Sequence, residues 1–409
     1  MKIWLKLLIG ALLGTALGLL LPPGSRTDGT LGILFELALR GGRYIFLPLV
    51  FFSVPIAVFE LYEDRKLGSI LGKAALISVV SVFAAAVLGA AGAFLLRPDR
   101  IPLVSEAPSV APLASAGDVL LGLFPKNAFQ ALVSGGDGLA PLFILAVILG
   151  LALSFDQAVT KPVLGLFDSL SRILYQVNSF FVEILAVFSI LAAAYNARAF
   201  RTVLELSLYR SLLVTVAAEV LFTVLVVLPG ILYFAGGRKN PFRVLYGLAG
   251  PALAAVVSGD LFFGAGTLAK HGKESLGIRR RSGTVTLPVA LLLGRAGTAL
   301  VTSTSFIVVL SSFSNIGLTA ENLLWLILFV PLSALLLGSA PGQGPVAALA
   351  LLSSLYGRGF ETGYLLLVHA AVPLLLAGVL LDAIWAGCVS WITARSEGLA
   401  AEREVRRYI

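Results

Sequence analysis

Cysteine occurs once in this 409-residue chain, at Cys388, and histidine only twice, at His271 and His369. A lone cysteine excludes an intramolecular disulfide and any cysteine-based metal cluster. The two histidines stand too far apart to form a recognisable zinc motif, and neither HExxH nor GxSxG occurs. No metal site and no enzymatic activity are therefore expected. Charge is scarce as well: 13% of residues are Asp, Glu, Lys or Arg, against 58% hydrophobic, with a mean hydropathy of +0.97. That balance excludes a soluble globule. The weak alternating segments of a β-barrel are missing too. What is present is a series of apolar runs, each long enough to cross a bilayer at roughly 20 residues per crossing. The expected fold class is an all-α polytopic membrane protein. "MKIWLKLLIGALLGTALGLLLPP" is the first of many spans, not a signal peptide on its own.

The net charge of +8 belongs to loops that fix orientation, and no nucleic-acid partner is expected. Lys2, Lys6, Arg65, Lys66, Lys161, Arg238, Lys239, Arg243, Arg279–Arg281 and the tail Arg403, Arg406 and Arg407 fall on one side of the alternating spans. That side reads as cytoplasmic, with both termini inside. Arg198 and Arg201 run against the bias without overturning it. Six spans are expected near 4–21, 31–61, 70–96, 119–154 (segmented), 163–194 and 207–234. Arg40 and Arg43, at the start of the second, are explained by snorkelling to the interface.

The second part of the chain reads differently. An apolar segment over 244–277 is interrupted by "SGDLFFGAG", and another over 322–357 by "GSAPGQGP". Each is too long for one crossing and is followed by a continuous span, 283–313 and 363–393. Paired Gly/Pro interruptions in matching positions point to inverted repeats of a secondary transporter. Irregular backbone survives at membrane depth only when buried in protein or lining a cavity. Two ordinary hairpins with glycine packing kinks are the plainer alternative, and they leave the pairing unexplained.

This order of elements, with "YIFLPLVFFSVPIAV", "LFPKNAFQAL", "TLP" followed by "GTAL", and "PGQG", resembles the dicarboxylate/amino acid:cation symporters of the glutamate-transporter fold. The resemblance implies eight transmembrane helices plus two re-entrant hairpins (244–277 and 322–357). It implies a homotrimer in a prokaryotic cytoplasmic (inner) membrane and an elevator-like movement carrying a small organic solute. Residues 1–236 then supply mainly scaffold, with spans three and six joining the transport domain, and 237–409 supply the transport core. The family's serine-rich first tip aligns with Asp260, Leu261, Phe262, Phe263 and Gly264, where only the glycine survives. Its sodium-coordinating Asn-Met-Asp-Gly-Thr aligns with Gly294, Arg295, Ala296, Gly297 and Thr298, so the hard oxygen ligands are lost. Candidate substrate contacts by this alignment are Asp260, Phe262, Phe263, Gly264, Thr298, the second-tip residues Pro341, Gly342, Gln343 and Gly344, and Asp382 in the last span. A channel or a non-transporting scaffold on the same fold is the alternative reading.

Arg295 is the single charge between Ser282 and Ala320. An arginine at mid-membrane costs on the order of 3 kcal/mol or more and must be paired inside the protein. Asp260 and Asp382 are its expected partners. Either the guanidinium stands in for a bound cation, leaving proton coupling through these acids or no coupling at all, or the pair only fixes packing. Glu183 and Glu219 are expected to pair within the scaffold or at an interface. The hydroxyls of Thr302, Ser303, Thr304 and Ser305 are expected to bond back to their own helix.

Overall fold

The computed structural model describes the chain except for residues 23, 103–116, 118–120, 134–137, 156, 206, 314–319, 340–343 and 358–359. The side chains at 25–26, 133, 157–158, 202, 204–205, 320, 339 and 407 also lie outside the described set. The apolar runs close their own backbone hydrogen bonds as helices, since the bilayer interior offers no other partner. In chain order these are α1 (Ile3–Leu20), α2 (Ser25–Arg43), α3 (Phe46–Glu63), α4 (Leu67–Leu96), α5 (Ala128–Val133), α6 (Leu139–Ala152) and α7 (Gln157–Glu205). There follow α8 (Arg210–Phe222), α9 (Leu228–Ala235), α10 (Phe242–Gly247), α11 (Ala249–Ser258) and α12 (Ala265–Glu274). The last five are α13 (Arg280–Leu293), α14 (Ala296–Phe313), α15 (Ala320–Leu336), α16 (Pro345–Tyr356) and α17 (Ala371–Ser396). Among the described residues no strand forms, only one antiparallel bridge between Ile278 and Ala400.

Several boundaries differ from the sequence expectation, each for a local reason. The second span bends at Tyr44–Ile45 between α2 and α3, which leaves Arg43 as the last residue of α2. The sixth span is α8 and α9 joined by a π turn over Thr223–Val227. Pro229 cannot donate to the turn before it, and the wider turn absorbs the missing bond. The seventh span, expected to be continuous, breaks at Gly294–Arg295 between α13 and α14. Around it, α11–α12 and α15–α16 are pairs of short helices. A 10-residue helix such as α11 is about 15 Å long, half the hydrocarbon thickness.

Packing follows from small residues. Gly10, Gly14 and Gly18 line the buried stripe of α1. A Cβ on Gly14 would sit 2.2 Å from the Ile190 carbonyl oxygen of α7, and one on Gly18 equally close to that of Ala194. Close backbone approach of this kind holds helices together where lipid supplies no hydrophobic drive. The centre of the molecule is the second part of the chain. In the seventh span 83% of the apolar window is buried, and in α17 72%, against 28% in α1.

One end of the molecule gathers the basic loops. Lys2 donates to the Tyr246 hydroxyl at 2.9 Å, Tyr246 stacks on Tyr408, and Arg281 pairs with Asp64. At the end of α17, Glu397 accepts hydrogen bonds from Lys73 and Ser69 of α4. The Lys73 ammonium, and then Ser69, hold its carboxyl below the usual range. A depressed carboxyl contributes stability that is complete above the unfolded value, about 4.3, and is lost as pH falls through the folded one. Glu397→Gln should therefore lower the melting temperature of the purified protein at neutral pH and leave it unchanged near the acid limit. Melting curves across that range check this.

Candidate functional site

The break at Gly294–Arg295 ends α13 and exposes the first amides of α14. Such amides need acceptors, and they attract negative charge. Asp382 of α17 supplies both. The Thr298 backbone N–H donates to its Oδ1 at 3.0 Å and the Thr298 hydroxyl to its Oδ2 at 2.6 Å. The Gly297 N–H donates to the same carboxylate. The approach is close because Gly297 has no side chain: a Cβ there would lie 2.2 Å from the Gly378 carbonyl oxygen.

Arg295 sits directly before this helix start, 2% exposed beside a fully buried Asp382. Its Nη1 stands 3.7 Å from Asp382 Oδ2, an ion pair and not a direct hydrogen bond. Its Nη2 donates to the Gly338 carbonyl oxygen at 3.3 Å. The guanidinium also lies 6.0 Å from the centroid of the Phe262 ring, within cation–π reach. One side chain thus touches the first broken segment, the second, the break in the seventh span and the last span. Gly338 permits its part, since a Cβ there would fall 1.8 Å from the Leu292 carbonyl oxygen.

The first tip is built separately. Gly259, at φ +67°, turns the chain out of α11, and Asp260 closes the turn by accepting the Phe263 N–H at 2.6 Å. The acid expected beside Arg295 is instead gripped by Arg43 of α2, through Nε at 3.1 Å and Nη2 at 2.8 Å. This two-point fork is the strong arrangement for an arginine and a carboxylate. Phe263 is buried among Ile3, Leu7, Leu39, Val182 and Leu185, and its ring lies against Gly42. Phe262 faces the other way, toward Phe46 and Arg295. Gly264 packs on Pro251 and Ala255, and Gly344 on Leu375. Phe262, Arg295, Thr298 and Asp382 therefore cluster, while Asp260 and Phe263 face spans one, two and five. Pro341, Gly342 and Gln343 lie outside the described residues.

The expectation that the hydroxyls of Ser303 and Thr304 bond back to their own helix holds only in part: Thr304 meets the Leu300 carbonyl oxygen at 3.2 Å, but it and Ser303 also reach other helices. The hydroxyl of Ser303 reaches the Ala86 carbonyl oxygen of α4 at 2.8 Å, and that of Thr304 reaches Glu219 Oε2 of α8 at 2.7 Å. These hydroxyls bridge helices, because the small residues of α4 bring its carbonyls within range. Glu183 pairs with both Lys6 and Lys270, so α1, α7 and α12 share one acid. Sequence reasoning missed Arg43. Its only signal is its place at the end of a basic pair entering an apolar run. Among the described residues no group of three or more His, Cys, Asp or Glu side chains gathers to hold a metal ion.

With this geometry in view, comparisons place the chain. Residues 3–376 match the sodium:dicarboxylate symporter family. The chain is 28% identical to a C4-dicarboxylate transport protein of Ralstonia nicotianae over 56% of its length and 53% of the relative's. It is 25% identical to a serine/threonine transporter of Streptococcus agalactiae over 77% of its length and 75% of the relative's. It is 22% identical to a proton/sodium-glutamate symport protein of Geobacillus stearothermophilus over 59% and 58%. The matched part spans only about half the length of the first of these relatives. The match over residues 3–376, on a chain of many apolar helices, makes this multi-pass membrane protein a member of the sodium:dicarboxylate symporter family.

Proposed function

We propose that the chain is a secondary transporter for a small organic solute of the amino acid or carboxylate class. It would work as a homotrimer in a prokaryotic inner membrane with both termini cytoplasmic. The observation that carries this is Arg295, which ties the broken seventh span to Phe262, Gly338 and Asp382 at one buried point. A unit so joined moves as one body. In this reading α4, α8 and α9 join the two re-entrant hairpins, α13, α14 and α17 in that body, and spans one, two, four and five form the frame.

The boundary between frame and body is part apolar, with Phe263 seated among Ile3, Leu7, Leu39, Val182 and Leu185, and part polar. It carries Arg43–Asp260, Lys270–Glu183 and Arg280–Asp168, and Asn178 donates to the Gly266 carbonyl at 3.0 Å.

Sodium, which the family name implies as a co-transported ion, does not suit the break. Both Asp382 oxygens are already engaged, and a fixed positive charge stands 3.7 Å away. A sodium ion there would be repelled by the guanidinium. We read Arg295 as a built-in replacement, so solute uptake should not require sodium.

Proteoliposomes offered labelled C4-dicarboxylate, serine and glutamate should take up at least one solute saturably, at equal rates in sodium and choline. Strict sodium dependence would sink the built-in cation. Ohmic current without saturable uptake would sink the carrier. The sliding body has its own test. Gly42→Cys with Phe263→Cys, in a Cys388→Ala background, places two thiols where α2 and the first tip touch. Mercury(II) crosslinking should abolish uptake, and excess thiol should restore it.

A further inference from the structure

Asp260 and Asp382 each have an arginine, but one buried acid of the same body has none among the described residues. Glu219 on α8 is 7% exposed. Its Oε2 lies 2.7 Å from the Thr304 hydroxyl, and its Oε1 has no hydrogen-bond partner among the described residues. The Thr304 oxygen is itself 3.2 Å from the carbonyl oxygens of Gly89 and of Leu300. Gly92 makes the room: a Cβ there would fall 2.2 Å from Glu219 Oε1.

Counting hydrogens decides between two forms. An ionised Glu219 would claim the single Thr304 hydrogen, leaving Oε1 a bare anionic oxygen in an apolar span. A protonated Oε2 donates to Thr304 Oγ1 instead. Thr304 then passes its own hydrogen to the Gly89 or Leu300 carbonyl, and Oε1 is a neutral carbonyl oxygen whose burial costs far less. The elements packed on α8 are α4, α14, α17, the π turn and the 3-10 turn Ser207–Tyr209. Their ionisable groups are Lys73 on α4, Arg295 before α14, Asp382, Cys388 and Arg395 on α17, and Tyr209 on the 3-10 turn, with Arg210 on α8 itself. None of these acts on Glu219 among the described residues. Arg295 and Asp382 pair with each other, and Lys73 with Glu397.

We propose that Glu219 is the proton-binding site of this transporter, the carboxylate gaining one proton on Oε2 and returning it as the body changes sides. This rests on the solute-carrier reading above. The acid is placed for coupling. Thr304 lies just under two turns, about 9 Å, along α14 from Thr298, so one helix carries the Asp382 contact at its start and the Glu219 contact further on. The π turn begins four residues beyond Glu219, and Thr223 donates to the Glu219 carbonyl. Such a turn gives the helix a place to adjust.

The test uses the full chain in liposomes and reads two signals. Infrared difference spectra on pH titration should show a buried carboxylic-acid carbonyl band that Glu219→Gln removes and Thr304→Val shifts. Uptake of labelled C4-dicarboxylate, serine and glutamate is measured with and without an inward proton gradient. The stimulation ratio should exceed one in the wild type and fall to one in Glu219→Gln. A band that survives Glu219→Gln, or that sodium abolishes at constant pH, overturns the proposal. So does an undiminished ratio in Glu219→Gln. Uptake of no solute by the wild type overturns the carrier reading, while the infrared result still decides whether Glu219 holds a proton.

Discussion

Arg295→Met should cost the folded protein about 3–5 kcal/mol, because it leaves Asp382 charged, fully buried and without its counter-ion. The loss should be largely conditional on that charge. Arg295→Met combined with Asp382→Asn keeps an acceptor for the Gly297 and Thr298 amides and removes the uncompensated anion. The double variant should therefore be more stable than the single one, and a double-mutant cycle on melting free energies measures the coupling. The same substitution bears on the ion. With the guanidinium gone, Asp382 Oδ2 and the Gly338 carbonyl face a vacated space that a small monovalent cation can enter. Sodium should then raise the melting temperature of Arg295→Met, growing with the logarithm of concentration, and leave the wild type unmoved. A wild type stabilised by sodium, or a double variant no better than the single, would show that Arg295 does not stand in for a cation.

The class of this protein was legible because burial in lipid imposes one rule on every span. Runs such as 70–96 admit no reading but a membrane helix, and the interruptions at 259–264 and near 338 were visible as Gly/Pro punctuation. The Arg295–Asp382 pair was legible for a related reason: a buried charge must find its opposite, and α17 carries one acid in its apolar stretch. What escaped were choices between energetically similar local solutions. Arg43 at the start of an apolar run can snorkel at little cost, and nothing local says that it meets Asp260, 217 residues away. Gly294–Arg295 inside an apolar run reads as continuous helix, since one glycine costs a helix only about 1 kcal/mol. The break exists because Asp382 satisfies the amides it exposes, and that contact is tertiary. The hydroxyl of Ser303 turns outward, and that of Thr304 is shared between its own helix and its neighbours, for the same reason: acceptors on α4 and α8 belong to other parts of the chain.

Gly297→Ala tests whether that tertiary contact is what holds the site. A Cβ at this position would lie 2.2 Å from the Gly378 carbonyl oxygen and 2.5 Å from the Leu381 Cβ, with the Asp382 amide nitrogen at 2.9 Å. All three contacts are backbone or the first side-chain carbon, so no rotamer change relieves them. The helices α14 and α17 must separate instead. Overpacking in a filled core costs about 1–3 kcal/mol, and separation also lengthens the hydrogen bonds from Gly297 and Thr298 to Asp382. The expected result is a melting loss toward the upper end of that range together with loss of solute uptake. Gly72→Ala is the control, because nothing lies within 4 Å of a Cβ there. On a helix surface, that change removes only the glycine's backbone entropy and should be neutral or stabilising by up to about 1 kcal/mol. If Gly297→Ala behaves like Gly72→Ala, the start of α14 does not depend on its close approach to Asp382, and the broken span owes its shape to something other than this carboxylate.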